Sequence, residues 1–140
     1  MEFKRPNDRF LLALDVSDGQ KAIDICSKAR HQVGGFKVGL ELICAGEAIH
    51  VERAIAQAGD SFFHDGKFCD IPNTVGAATR EAAKLGASMI NVHALAGPVS
   101  IQAAVENKGN AKILVVTLLT SLDEQALRRM LGPFFQDALV

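Results

Sequence analysis

The sequence has no excess of charge of either sign. Its 140 residues include 15 lysine and arginine residues against 16 aspartate and glutamate residues, which gives a formal net charge of -1. Nucleic acids and anionic membranes attract proteins mainly through a basic field, and this composition does not supply one. It therefore favours neither nucleic acid nor membrane as a partner.

Cysteines are also few. Cys26, Cys44 and Cys69 are odd in number and form no Cys-x-x-Cys pair. This pattern argues against a disulfide framework and against a structural zinc site. We expect these cysteines to be reduced and mostly buried.

Long apolar runs are absent as well. The chain begins with the charged stretch MEFKRPNDRF, and its first apolar run is FLLALDV. A membrane helix needs about 20 apolar residues, and a secretory signal would show a cleavage pattern that is missing here. The expected compartment is the cytoplasm.

The composition that remains is that of a globular protein, with 49% hydrophobic and 22% charged residues. The length predicts one domain over residues 1–140. Short β-type runs alternate with amphipathic stretches, which predicts a parallel sheet with helices outside it, the α/β class. The predicted strands are residues 10–16, 35–42, 61–68, 88–94 and 111–120, and a single helix follows each, at 18–33, 46–59, 74–86, 98–109 and 122–131.

Polar side chains collect near the carboxyl ends of these strands, where α/β proteins bind their ligands. Lys37 lies inside an apolar strand, and an unpaired buried lysine would cost several kcal/mol. We therefore expect Asp15 or Asp65 to face it. If the third strand is extended, Asp65 and Lys67 point to the same side. The residues at the strand ends are Asp15, Lys37, Asp65, Lys67, His93 and Thr120.

Structural roles compete with functional ones at several positions. Asp15 alone is more often a cap than a ligand. His64 points away from Asp65 along the strand, and His93 fits a hydrogen-bonded histidine at a strand end, so we favour structural roles for both. A metal site from His64, Cys69 and Asp70 has unconvincing spacing, and Cys69 as a nucleophile fares no better.

The stretch HDGKFCDIPNTV, residues 64–75, resembles the signature of the orotidine 5'-phosphate decarboxylase family. LLALDV, FKVGLEL, NVHALAG and VVTLLTS support the resemblance and occur in the family's order. Magnesium-dependent sugar-phosphate decarboxylases share Asp-x-Lys-x-x-Asp but lack IPNTV. Gly66 departs from the commonest form, which has a larger residue there, and we expect it to face away from the site.

The resemblance implies removal of carbon dioxide from C6 of the orotate ring, without a cofactor or metal, in the synthesis of uridine 5'-phosphate. Lys67 would donate a proton to C6, and Asp65 would lie beside the departing carboxylate. Lys37, Asp65, Lys67 and Asp70 would form an alternating catalytic array.

The same resemblance implies which residues bind the nucleotide. Asp15 and Lys37 would hold the ribose hydroxyls, while Thr120 and Ser121 would approach the pyrimidine. Asp70 and Thr74 would reach the site of a neighbouring subunit, which implies a homodimer with shared active sites.

The implied fold is the (β/α)8 TIM barrel, which typically needs about 200 or more residues. This sequence accounts for about five βα units, so we expect an incomplete barrel without the family's phosphate-binding loops. The chain would be a truncated product, a fragment of the full enzyme, or a partial domain that assembles with another copy, and we expect its activity to be impaired. A non-catalytic, self-associating fragment remains an alternative, as does the magnesium-dependent relative.

Overall fold

A single parallel sheet organises the chain. The structure, a computed structural model, describes residues 6–132. Five strands lie side by side in chain order, and every neighbouring pair is parallel. They are β1 Leu11–Ala13, β2 Gly35–Val38, β3 Phe62–Phe68, β4 Met89–His93 and β5 Lys112–Val116. The predicted strand and helix alternation is confirmed.

Helices connect the strands. The described residues contain six α-helices, α1 Gly19–Ala29, α2 Leu40–Cys44, α3 Ala48–Gln57, α4 Pro72–Lys84, α5 Gly97–Asn107 and α6 Glu124–Leu131. Helix α2 corrects the prediction that the second strand extends over residues 35–42. The strand ends at Val38. The apolar residues that follow form a short helix, whose Leu42 side chain is buried. Periodicity cannot separate strand from helix in so short an apolar run.

The core lies between one face of the sheet and the helices. Phe36 and Val38 alternate with Lys37 along β2, so these two side chains share the buried face while Lys37 takes the other. Buried side chains from the helices complete this layer, among them Leu42, Val51 and Ile55. The opposite face of the sheet is therefore where charged side chains can gather.

Strand β5 is more open than its sequence predicts. Leu114 and Val115 keep 39% and 42% of their surface exposed, although an apolar run of this kind is normally buried on both faces. In the part of the chain that the structure describes, β5 pairs with β4 alone. Residues 6–132 thus form an open series of βα units. No helix within these residues has the length and apolar character needed to span a membrane.

Candidate active site

The site is built around an irregular segment of β3. The pairing of β3 with β4 shifts register between His64 and Phe68. Lys67 lies within this segment at φ 49°, in the left-handed region, and is the one non-glycine residue with positive φ in residues 6–132. Such a backbone costs about 1 to 3 kcal/mol and is concentrated at functional sites. The expectation of a regular extended strand is therefore wrong at Lys67.

Lys67 and Asp65 are nevertheless brought together. The Nζ of Lys67 donates a hydrogen bond to Oδ1 of Asp65 at 2.7 Å. The other carboxylate oxygen, Oδ2, lies 3.4 Å from Nζ of Lys37. Lys37 in turn donates to Oδ1 of Asp15 at 3.2 Å. Both carboxylates predicted as partners of Lys37 thus contact it, and we call these four residues the charged network.

The charged network runs from solvent into the protein. The side chain of Asp15 is 69% exposed, whereas that of Asp65 is 10% exposed. Burial would raise the pKa of Asp65, but hydrogen bonds from Lys67 and Asn91 and the charges of Lys67 and Lys37 outweigh it and lower the pKa below the ordinary 3.8. Asp65 is therefore ionised at neutral pH and compensated on several sides.

Asn91 belongs to the site and was missed by sequence reasoning. This buried side chain donates from Nδ2 to Oδ1 of Asp65 at 2.6 Å and accepts at Oδ1 from the backbone N–H of Lys67 at 2.7 Å. Its signal is visible in retrospect, because an amide between Ile90 and Val92 interrupts an apolar strand. A buried polar side chain of this kind needs partners.

Asp70 and Thr74 are placed apart from the charged network. Asp70 is exposed, and its carboxylate accepts from the backbone N–H of Ile71 at 2.6 Å. It makes no ion pair with another described residue, so Asp15 rather than Asp70 is the fourth charged group of this chain's network. Thr74 is exposed in the first turn of α4.

The remaining predicted site residues lie farther along the chain. Thr120 and Ser121 are exposed in a turn after β5. His93 caps a short 3-10 turn, where its Nδ1 accepts from the backbone N–H of Leu95 at 3.2 Å. The structural role favoured for His93 agrees with this contact.

The helix-facing side of β3 carries a second ionisable pair. Nδ1 of His64 lies 2.6 Å from Oε1 of Glu52, whose side chain is fully buried. The other carboxylate oxygen of Glu52 has no hydrogen-bond partner among residues 6–132. A Cβ built at Gly66 would meet the rings of His64 and Phe68, so Gly66 faces away from the charged network, as expected.

The cysteines differ in their burial. All three cysteines are free, but only Cys26 is buried, so the expectation that they are mostly buried is wrong for Cys44 and Cys69. Burial, with the nearby charge of Asp60, raises the pKa of Cys26 to about 11. Within residues 6–132, no three histidine, cysteine or acidic side chains form a group that could hold a metal ion.

The sheet order and the charged residues at the strand ends define a protein of the (β/α)8-barrel class, represented here by five βα units. The model of the "Orotidine 5'-phosphate decarboxylase / HUMPS family" matches residues 8–138. The chain belongs to this family, which confirms the resemblance seen in its motifs.

Individual relatives agree with this assignment. Orotidine 5'-phosphate decarboxylases from Moorella thermoacetica and Anaeromyxobacter sp. (strain K) are 42% and 43% identical, over 89% and 88% of this chain and 53% and 54% of their own lengths. The crystal structure of the Lactobacillus acidophilus orotidine 5'-phosphate decarboxylase superposes with a TM-score of 0.78 at 35% identity, covering 87% of this chain and 58% of that one. The chain spans about half the length of the curated relatives it matches.

Proposed function

We propose that this chain contributes to the decarboxylation of orotidine 5'-phosphate to uridine 5'-phosphate in de novo pyrimidine biosynthesis. The observation that carries the proposal is the charged network, in which Asp65 binds the ammonium groups of Lys67 and Lys37 at the carboxyl ends of neighbouring strands. The names of its relatives support the same activity. In this proposal residues 1–140 form one partial barrel domain, of which residues 1–5 and 133–140 lie outside the described part.

Lys67 supplies the proton in the proposed reaction. The bond between C6 and the carboxylate breaks, carbon dioxide leaves, and the electron pair stays on C6. The ammonium of Lys67 stabilises this carbanion and then transfers its proton to C6, which leaves a neutral amine that regains a proton from water. An ammonium already fixed by a hydrogen bond to Asp65 needs little reorganisation as the charge develops.

Asp65 acts on the substrate and on Lys67 together. Two anions about 4 Å apart at an effective dielectric of about 20 repel by about 4 kcal/mol, and departure of carbon dioxide relieves that repulsion. The lowered pKa of Asp65 keeps its carboxylate charged for this role. The interaction of Lys67 with the carbanion is a better-founded source of rate acceleration than this repulsion, because it is stronger in the transition state than in the ground state.

The other predicted site residues bind the nucleotide in this proposal. Asp15 and Lys37 hold the ribose hydroxyls, and Thr120 and Ser121 approach the pyrimidine. The exposure of Asp15 leaves its carboxylate accessible to a ligand.

Asp70 and Thr74 complete the site of a second copy in this proposal, so the protein is a homodimer. Its proposed location is the cytoplasm. The exposed position of both residues is compatible with that role. Beside Asp70, a surface cavity of about 590 Å³ is bordered by Ile71, Leu95 and Val99, which are 66%, 70% and 67% exposed. An exposed apolar patch of this kind is typical of a protein interface.

The test is formation of uridine 5'-phosphate from orotidine 5'-phosphate, with the intact mass measured in the same sample. The 140-residue chain is compared with a fusion that adds the remaining βα units of the Moorella thermoacetica relative. We expect the fusion to be faster by a factor on the order of 10² to 10⁴, since phosphate commonly binds after strands 7 and 8 of such barrels and two charge-assisted hydrogen bonds contribute about that much.

The added βα units of the relative, expressed without the 140-residue chain, serve as the control for the fusion. Lack of product from the fusion, although it is folded and dimeric, would refute the proposed reaction. Equal rates for the chain and the fusion would refute the proposed dependence on the added units.

A further inference from the structure

Asn91 is a neutral residue whose side chain serves two members of the charged network. It lies in β4 between Ile90 and Val92 and retains 2% of its surface. Its two polar atoms both bond to β3, one to the carboxylate of Asp65 and the other to the backbone N–H of Lys67. None of the roles assigned above to the site residues includes Asn91.

The location of Asn91 coincides with the break in strand pairing. Strands β3 and β4 pair at His64 with Ile90 and again at Phe68 with Val92. Between these positions β3 has three residues, whereas β4 has only Asn91. A bulged segment leaves backbone groups without ladder partners, and the side-chain oxygen of Asn91 satisfies one of them.

We propose that Asn91 is a positioning residue for Lys67 and Asp65. Its carbonyl oxygen holds the backbone of Lys67 in the left-handed conformation, and its amide group fixes the carboxylate of Asp65 with Oδ2 facing Lys37. The consequence for catalysis rests on the function proposed above.

An asparagine suits this position for a chemical reason. The site needs an acceptor for the N–H of Lys67 and a donor for the carboxylate of Asp65, and a neutral amide supplies both. An aspartate at this position would set a second carboxylate against Asp65, while leucine would fill the space without either bond. The charged groups facing Asp65 are Lys67 on β3 and Lys37 on β2, with Asp15 beyond Lys37, and β4 contributes the neutral Asn91.

The first test uses the unaltered 140-residue chain and needs no substrate. Nuclear magnetic resonance follows the carboxyl carbon of Asp65 and the side-chain amide protons of Asn91 as pH is lowered through the folded range. We expect the Asn91 signals to shift with the onset and midpoint of the Asp65 titration. Asn91 signals that ignore this titration would overturn the proposal.

The second test compares Asn91→Leu with Asn107→Leu. Asn107 is a matched control, because its half-buried amide also makes two hydrogen bonds, to Arg80 and to the carbonyl of Ala103. We expect Asn91→Leu to raise the titration midpoint of Asp65 by about one pH unit, a tenfold change in proton affinity, and Asn107→Leu to leave it unchanged. An unchanged midpoint in folded Asn91→Leu would contradict the proposal.

Asn91→Asp covers the case in which the leucine variant does not fold. Two carboxylates in hydrogen-bond contact titrate as a coupled pair, so we expect one of the two midpoints to rise well above the ordinary value. Two independent, ordinary midpoints would overturn the proposal. A change in side-chain packing alone would not couple the titrations of the two carboxylates.

The activity test separates this proposal from the proposed function. In the fusion that forms uridine 5'-phosphate, we expect Asn91→Leu to lower kcat about 10- to 100-fold with little change in KM, and Asn107→Leu to change neither. An unchanged kcat would refute the positioning role in catalysis. If the fusion forms no product while the titrations behave as expected, the proposed function fails and the positioning of Asp65 stands.

Discussion

The two faces of β3 use ionisable groups in opposite ways. On one face, the carboxylate of Asp65 is shared by Lys67, Lys37 and Asn91, and the network continues to the exposed Asp15. On the other face, Glu52 and His64 form a pair whose side chains are 0% and 13% exposed, beside a cavity of about 270 Å³ bordered by residues of α3 and α4. Neighbouring residues of a single strand thus belong to two different electrostatic environments.

This difference teaches where charge is available for chemistry. The charged network is compensated and remains open at the strand ends, so a ligand can reach its groups. The Glu52 carboxylate is fully buried, with one oxygen bonded to His64 and the other without a partner in the described part of the chain. A buried pair of this kind fixes packing, and removal of one partner is costly because the other remains buried and uncompensated.

The largest effect is expected on the face of β3 that carries the charged network. In the proposed reaction Lys67 is the proton donor and the counter-charge of the carbanion, so we expect Lys67→Ala to lower uridine 5'-phosphate formation by about 10⁴-fold or more. We expect circular dichroism to remain unchanged. Lys84→Ala is the matched control, because Lys84 pairs with Glu81 on the exposed surface of α4 and should not affect the rate. Substantial residual activity in Lys67→Ala would show that another group donates the proton.

The next largest effect is expected on the face of β3 that carries His64. His64→Leu leaves the Glu52 carboxylate buried without a partner and should lower the free energy of unfolding by about 3 to 5 kcal/mol, measured by urea denaturation. Adding Glu52→Met should recover most of this loss, since an apolar pair of similar size needs no compensation. If His64→Leu alone were as stable as the unaltered chain, the contact between His64 and Glu52 would not contribute to stability.

A smaller effect distinguishes the faces by pH. The folded-state pKa of Asp65 is lowered, so its contribution to stability is present above the ordinary value of 3.8 and is lost as pH falls through the lowered folded pKa. We expect Asp65→Asn to remove this part of the pH dependence of urea unfolding. Asp15→Asn is the control, and an identical pH dependence for Asp65→Asn and the unaltered chain would contradict the ion pairs.

The smallest expected effect is that of a metal. Because lysine side chains supply the positive charge in the proposed reaction, added magnesium or a chelator should leave the rate of the fusion unaltered. Activity lost with a chelator and restored by magnesium would favour the sugar-phosphate decarboxylases that share the Asp-x-Lys-x-x-Asp spacing.

Much of this arrangement could be predicted from sequence because its causes are local. The alternation of strands and helices follows from periodicity and from helix-terminating glycines. The contacts of Lys37 with Asp15 and Asp65 follow from the cost of an unpaired lysine in an apolar strand. The separation of His64 from Asp65 follows from the two-residue period of a strand.

The remaining features depend on contacts between distant segments. The left-handed backbone of Lys67 and the amide of Asn91 depend on the register between β3 and β4, which no local pattern specifies. The partner of His64 comes from α3, 12 residues earlier in the chain. Helix α2 was missed because a short apolar run suits a strand and a buried helix equally well.

The most direct test of this account measures kcat/KM and the free energy of unfolding in the same preparations of the active fusion, its Lys67→Ala variant and its His64→Leu variant. We predict opposite outcomes for the two variants. Lys67→Ala should lose activity with the smaller loss of stability, because Asp65 keeps Lys37 and Asn91 as partners, while His64→Leu should lose more stability and keep its activity per folded molecule. The account would be contradicted if Lys67→Ala kept its activity, or if His64→Leu lowered the rate per folded molecule as strongly as Lys67→Ala.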